Sequence, residues 1–188
     1  MRTRKKVAAL VVASALSLTL AGCVQPSPHV IPTSEPSTKP VFASDAAALA
    51  AAKKAYVAYL AVSDQISNEG GSDAQRLKPF VTEQWLPSET SSYAAFAKTG
   101  ERFTGTTGFD TFRLQSRQTA GNGNAEVAVY VCANVSNTRL VDANGADITP
   151  SGRLDVYPIV ANFEGAAPAS PKLLFAGGEP WSGKNFCS

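Results

Sequence analysis

The residues that most often carry out covalent or acid–base chemistry are scarce in this chain of 188 residues. His29 is the one histidine, and it lies in a stretch with a proline at every second to fourth position. Catalytic systems in which a histidine activates a serine or cysteine therefore lack a candidate base elsewhere in the sequence. The scarcity also argues against histidine-rich zinc and iron sites. We expect no metal or organic cofactor, and we interpret His29 as a solvated linker residue.

Three carboxylates, Asp64, Asp110 and Glu126, lie next to segments whose apolar pattern predicts a core face. An enzyme that moves protons would need one of them in an apolar cavity with a raised pKa, beside a tyrosine or second acid that holds an oxyanion. Each has a simpler interpretation: Asp64 lies at the wet edge of a helix, Asp110 caps a turn, and Glu126 faces outward. The sequence therefore predicts no catalytic residue.

The first 22 residues have the pattern of a secretory signal. Four basic side chains lie within residues 2–6, and the run VAALVVASALSLTL at residues 7–20 is uncharged. As a helix this run reaches about 21 Å, which is short of the roughly 30 Å hydrocarbon core of a bilayer. A signal segment is therefore favoured over a permanent membrane span. Without the four basic residues the formal net charge changes from +2 to −2, so nucleic-acid binding is not expected.

The segment Leu20-Ala21-Gly22-Cys23 resembles the lipobox of bacterial lipoproteins. The resemblance implies cleavage before Cys23, a diacylglycerol on its thiol and an N-acyl chain on its new amino terminus. Two or three acyl chains hold a protein durably on a membrane, so we expect an extracytoplasmic protein anchored to the cell membrane through lipid. The alternative is an ordinary signal peptide in which Cys23 is incidental.

Residues 23–43 are predicted to form a tether after the lipidated cysteine. Prolines recur through VQPSPHVIPTSEPSTKPVFA, so neither a helix nor a strand ladder is expected. As an extended chain, roughly 20 residues at about 3.1 Å each span up to about 60 Å.

Residues 44–188 are predicted to form one domain that begins with helices. Ser44 is a candidate N-cap for a helix from Asp45 to about Ser67, which carries one apolar stripe and ends at Gly70 and Gly71. A capping box at residues 72–75 predicts a short helix that ends at Pro79. A helical turn at residues 82–86 and a helix capped by Ser88 follow.

After Gly100 the apolar period changes from 3.6 to 2, which predicts four strands at residues 109–117, 125–140, 153–163 and 172–175. The pairs Asn122-Gly123 and Asn144-Gly145 predict type I′ turns. The sequence therefore predicts an α+β fold, with helices packed on a curved, four-stranded (or slightly larger) antiparallel sheet.

This order of elements resembles the nuclear transport factor 2-like superfamily, in which helices and a curved sheet form a cone. The segments AYVAYLAVSDQIS, GGSDAQRLKPFVTEQWL and EPWSGKNFC resemble actinobacterial lipoproteins placed in that superfamily. The superfamily includes cyclases and ketosteroid isomerases as well as binding modules, so the fold does not decide the function.

Once Cys23 is assigned to lipid, Cys132 and Cys187 remain as an even pair outside the cytoplasm, where a disulfide is favoured. The bond would hold the C-terminal tail, with Trp181 and Phe186, across the face of the sheet that carries Tyr130. The alternative is a buried free thiol at Cys132.

Six aromatic residues are candidates for a pocket or an interface, because aromatic rings serve both small-molecule and protein binding: Tyr56, Tyr59, Phe96, Phe103, Tyr130 and Trp181. The favoured hypothesis is a non-catalytic binding or adaptor module for an envelope protein or a small apolar ligand. The alternatives are a lyase or isomerase that uses a buried carboxylate and a tyrosine, and a structural envelope protein with a filled core. An apolar cavity with a desolvated acid would favour the enzyme, a cavity without ionisable groups would favour ligand binding, and no cavity would favour protein contact.

Overall fold

The structure, a computed structural model, describes residues 39–187. The predicted signal segment, Cys23 and most of the predicted tether lie outside these residues. The elements, in chain order, are α1 (Asp45–Asn68), a 3-10 helix (Ala74–Leu77), α2 (Leu86–Thr99), β1 (Arg102–Gly105), β2 (Gly108–Thr119), β3 (Ala125–Asn134), β4 (Thr138–Val141), β5 (Val156–Gly165) and β6 (Leu173–Pro180).

The first helix forms as its sequence predicts. The Ser44 hydroxyl accepts a hydrogen bond from the Ala47 amide at 3.2 Å, and Asp45 lies in the positively polarised first turn. Apolar residues at spacings of three and four form a buried stripe that faces the sheet: Ala48, Ala52, Tyr56, Tyr59 and Ile66.

The next two helices differ from the prediction in how they begin. The predicted capping box at residues 72–75 is wrong. Asp73, which directly precedes the 3-10 helix, has a left-handed backbone, and its side chain forms no capping hydrogen bond. The second α-helix begins at Leu86 rather than at Ser88, and Pro87 lies in its first turn. Proline is tolerated there because the amides of the first turn have no intrahelical acceptor.

Four strands form an antiparallel sheet in the order β2-β3-β5-β6, which confirms the predicted α+β class and its consecutive pairing. The strand predicted at 125–140 is interrupted after Asn134, and its second part pairs with β1 as a separate two-stranded sheet. The strand predicted from Arg153 starts at Val156, because the Arg153 guanidinium hydrogen-bonds to the 135–138 loop instead. The last strand runs to Pro180, beyond the predicted end at Phe175.

The two Asn-Gly turns are present, but they are not type I′. Such a turn needs positive φ at both central residues, and of each pair the glycine alone has it: Gly123 at 84° and Gly145 at 85°. The Asn122 and Asp142 side chains accept hydrogen bonds from nearby turn amides instead. Longer loops with a single left-handed glycine result.

The large sheet is curved and cone-like, with the helices on its concave face. Register shifts interrupt β2 between Asp110 and Phe112 and between Leu114 and Ser116, and a third lies at Asn162 and Phe163 of β5. Such bulges bend a strand and increase its twist. The buried face of β3 (Ala125, Val127, Val129, Val131) packs under α1.

The last residues of the predicted tether belong to the folded domain. Phe42 is 7% exposed and joins the core, while Arg117 donates a hydrogen bond to its carbonyl oxygen. The Val41 amide donates to the Thr119 hydroxyl at 3.3 Å. The predicted boundary at residue 43 is therefore wrong by a few residues, because proline spacing does not show that Phe42 has a partner surface.

Gly71→Ala should destabilise the domain more than Gly145→Ala. Both glycines have positive φ, 81° and 85°, which costs an L-residue about 1–2 kcal/mol. A Cβ at Gly71 would also lie 2.2 Å from the Tyr93 carbonyl oxygen, whereas nothing lies within 4 Å of one at Gly145. Urea unfolding of both variants measures the loss in the free energy of unfolding. Equal losses for the two variants would show that α2 can move away from residue 71 without a cost in stability.

Candidate functional site

A cavity of about 420 Å³ lies between the C-terminal half of α1 and one end of the sheets. One face of α1 lines it from Tyr56 to Asn68. The opposite wall is formed where β3 and β6 end and β5 begins, with residues such as Ala133, Tyr157 and Gly178. Along this face of α1 the apolar side chains are followed by the short polar side chains Ser63, Asp64 and Ser67, which leave space between the helix and the sheets.

Asp64 is the one residue of this lining that carries a carboxylate, and no Lys, Arg or His joins it. Its side chain is half-buried, and Oδ2 accepts a hydrogen bond from the Thr107 amide at 2.8 Å. Burial raises the pKa of the carboxyl above its ordinary value, and the hydrogen bonds from Thr107 oppose this rise. Among residues 39–187, Thr107 is the residue that hydrogen-bonds to Asp64, and no cationic side chain lies within 4 Å of its carboxylate.

The hydroxyls of Tyr59 in α1 and Tyr93 in α2 are already hydrogen-bonded within the domain. The Tyr59 hydroxyl donates to Glu89 Oε1 at 3.0 Å, and the indole of Trp85 donates to the same oxygen at 2.7 Å. The hydroxyls of Ser63 and Tyr93 lie 2.6 Å apart. Burial raises the pKa of both tyrosines, with the Glu89 charge second for Tyr59, so both stay neutral.

The hydroxyls of Tyr56 and Tyr157 form no hydrogen bond with another described residue, and both residues line the cavity. Burial is the main cause that raises the pKa of Tyr56, followed by the nearby Tyr157 and Asp64. A neutral phenol is a hydrogen-bond donor. The cavity therefore combines one carboxylate with two uncommitted hydroxyls.

The six predicted aromatic residues separate into two groups. Tyr56, Tyr59 and Phe103 line the cavity. Phe96 packs behind Phe103 with ring centroids 5.4 Å apart, outside the lining.

Tyr130 and Trp181 do not line this cavity, because they lie on the other face of the sheet. Their rings are 5.3 Å apart, and Phe186 packs 5.5 Å from Tyr130. The predicted disulfide is present between Cys132 and Cys187, with Cα atoms 5.4 Å apart. It holds the C-terminal tail across the face that carries Tyr130, as expected.

The other two candidate acids lie away from the cavity. Asp110 is exposed on β2 and accepts a hydrogen bond from the side-chain amide of Asn134 at 3.5 Å. Glu126 accepts a hydrogen bond from the side-chain amide of Gln118 at 2.5 Å. Asp64, which the sequence placed at a wet edge, is the acid that the fold brings into a cavity.

Sequence reasoning missed the residues that complete the cavity, among them Thr107, Tyr157 and Phe175. Thr107 lies between β2 and β1, and β1 was not predicted. Tyr157 and Phe175 lay in predicted strands, where the alternation shows burial but not which end of the sheet α1 covers.

Arg153 organises one wall of the cavity from outside. Its guanidinium donates to the carbonyl oxygens of Val135 and Thr138 at 3.0 and 3.1 Å, and to the Thr138 hydroxyl at 3.1 Å. It also forms an ion pair with Asp155 at 2.9 Å. Since Val135 and Thr138 line the cavity, these bonds fix the loop that closes its side.

A larger concavity of about 580 Å³ lies against the first half of α1. Alanines of α1 and residues such as Phe80, Pro171 and Leu173 line it, and Lys54 and Lys172 are its charged side chains. No group of His, Cys, Asp and Glu within residues 39–187 is arranged to hold a metal ion. In the same residues no helix is both long and apolar enough to cross a membrane.

No protein-family model and no curated protein matches the chain. The fold is similar to that of the intermembrane space region of the chloroplast protein ARC6, known from a crystal structure. The two align with a TM-score of 0.51 and 12% sequence identity over 72% of this chain and 97% of that chain. At this identity the likeness shows the fold alone.

Asp64→Asn should remove part of the pH dependence of stability. The pKa of Asp64 in the folded state is raised above 3.8, so the folded state favours the protonated carboxyl. The stability that this preference contributes is complete below pH 3.8 and is lost as the pH rises through the raised pKa. The free energy of unfolding of the variant, relative to that of the wild type, should therefore increase across this window and then level off. Urea unfolding from about pH 3 to about pH 7 measures this. A 13Cγ titration of Asp64 that gives the ordinary pKa would contradict it.

Proposed function

We propose that this protein is a membrane-anchored extracytoplasmic lipoprotein of the nuclear transport factor 2-like superfamily that binds a small molecule without transforming it. The observation that carries the proposal is the cavity of about 420 Å³ beneath α1, with its aromatic walls and one carboxylate. This volume lies within the range of about 300–1,000 Å³ that is usual for ligand pockets. The anchor part of the proposal rests on the resemblance of residues 20–23 to a lipobox.

The cavity lining suits a ligand that has both an apolar body and polar groups. Tyr56, Phe103, Tyr157 and Ile159 supply apolar surface. About half of the lining residues carry a polar side chain, among them Asp64, Ser67 and Asn68, and these can supply directional contacts of the kind that orient a ligand in a small-molecule site. An adaptor for an envelope protein is less well supported, because the C-terminal tail already packs on Tyr130 and Cys132 of the outer face of the sheet. A structural protein with a filled core is also less well supported, because the space under α1 is not filled.

A proton-transfer enzyme is the second candidate, and the position of Asp64 favours it. A half-buried carboxyl with a raised pKa lies near the neutral Tyr56 hydroxyl, so a base and a donor for an oxyanion share one cavity. Binding is preferred because Asp64 is only half-buried and the hydrogen bonds from Thr107 oppose the rise of its pKa, which weakens the carboxylate as a base.

The anchor predicts that Cys23→Ser abolishes lipidation. In cells fed radioactive palmitate, the wild-type chain should be labelled and the Cys23→Ser chain should not. Cys187→Ser is the matched control, since it also replaces one cysteine by serine but should leave the label unchanged. Label retained by Cys23→Ser would overturn the assignment of the anchor.

The cavity predicts that Gly178→Leu weakens ligand binding. Gly178 lines the cavity, and a Cβ there would meet side chains at ordinary contact distances of 3.6 and 3.8 Å, so the fold should tolerate a side chain that fills the space. Gly152→Leu is the control, because nothing lies within 4 Å of a Cβ at Gly152. With indole as a neutral aromatic probe, the wild type and Gly152→Leu should show saturable shifts of the Thr107 amide resonance.

For Gly178→Leu we expect at least about a tenfold loss of indole affinity, which corresponds to about 1.4 kcal/mol. Equal binding by all three proteins would place the probe elsewhere and count against the cavity as the site. A chemical change in indole or in a natural ligand recovered from the protein would favour the enzyme over the binding protein.

A further inference from the structure

We propose that the ligand of the cavity is a small organic cation, an aromatic or apolar molecule with a protonated amine that pairs with Asp64. This inference rests on the proposed binding function and specifies the chemical class of its ligand. It follows from the charge, the free hydrogen-bonding groups and the aromatic content of the lining.

The charge of the lining excludes anions and favours cations. Asp64 supplies a negative charge, and the lining contains no Lys, Arg or His to balance it. An anionic ligand would place a second negative charge in the same half-buried space, which is unfavourable at short range. A cation would supply the counter-charge that Asp64 lacks.

The free atoms of the site fit an ammonium group. Within residues 39–187, Asp64 accepts hydrogen bonds from Thr107 alone, with the Thr107 amide 2.8 Å from Oδ2. A carboxylate has about four acceptor sites, and an alkylammonium carries up to three N–H donors and no acceptor. One N–H can therefore bind the remaining acceptor sites of Asp64, and the oxygens of Tyr56 and Tyr157, which accept nothing within the described chain, are available to the others.

The aromatic walls also favour a cation. Phe103 and Tyr157 line the cavity and are half-buried. The faces of aromatic rings attract cations, and the attraction increases when the cation is withdrawn from water. A carboxylate that shares a cavity with such rings thus suits both the charge and the apolar body of an aromatic amine.

Other charged groups around Asp64 do not oppose a bound amine. On the same helix, Tyr56 is neutral because burial raises its pKa, and on α2 the same is true of Tyr93. Glu89 of α2 accepts hydrogen bonds from Tyr59 and Trp85, and its negative charge would attract a cation. The Arg153 guanidinium bonds to the outer side of the cavity wall, where Asp155 pairs with it at 2.9 Å, so Asp64 is the charged residue of the lining itself.

Three probes with the same ring and different charge test the proposal on the full-length chain. Tryptamine is a cation at neutral pH, tryptophol is neutral and indole-3-acetate is an anion. We expect tryptamine to bind at least about tenfold more tightly than tryptophol, and indole-3-acetate to bind most weakly. Binding is measured by calorimetry and by the shift of the Thr107 amide resonance, because that amide contacts Asp64.

Asp64→Asn should abolish the preference for tryptamine over tryptophol while tryptophol binding is kept. Asp110→Asn, which removes an exposed carboxylate outside the cavity, should leave the preference unchanged. If tryptophol binds as well as tryptamine, or if Asp64→Asn keeps the preference, the cationic ligand is wrong and the binding function stands. If neither indole nor any of the three probes shifts the Thr107 amide resonance, the binding function itself is wrong.

Discussion

The packing of the Tyr56 ring against three strands is the interaction on which the rest of the domain depends. Tyr56 is 3% exposed, and its ring lies 5.2–6.2 Å from the rings of Phe109 and Phe112 in β2, Phe163 in β5 and Phe175 in β6. Aromatic pairs of this kind contribute about 0.5–1.5 kcal/mol each beyond the area they bury. The contacts join α1 to strands that are far from it in sequence, and so they fix the position of the helix over the concave face.

The cavity is a consequence of that position. On the N-terminal side of Tyr56, α1 presents small residues such as Ala48 and Ala52, and the core closes tightly around them. On the C-terminal side, Ile66 continues the buried stripe, but the face of α1 that lines the cavity also carries the short polar side chains Ser63, Asp64 and Ser67. These side chains are too short and too polar to fill the space between the helix and the ends of the strands. A ligand with a polar group can occupy this space in a way that a hydrophobic core cannot.

Local signals predicted the elements, and contacts distant in sequence determined the site. The Ser44 cap, the apolar stripe of α1 and the alternation of β3 act within one element, so a single sequence shows them. The two-stranded sheet of β1 and β4 was missed because each strand has only four residues. Its pairing also depends on a close backbone approach at Gly105, where an added Cβ would lie 1.9 Å from the Asn137 carbonyl oxygen. The role of Asp64 was missed for a similar reason, since its amide donor Thr107 lies 43 residues away.

The chain joins the domain at the end of the strands opposite the cavity. Val41 and Phe42 contact Arg117 and Thr119 at the end of β2, whereas Thr107, just before β2 begins, lines the cavity. The 12 residues of β2 span about 40 Å at roughly 3.3 Å each. The disulfide-held tail lies on a third surface, the outer face of the sheet. The cavity lining shares no residue with the contacts of Val41 and Phe42 or with the disulfide, so Asp64 can be substituted without removing a contact from either of those surfaces.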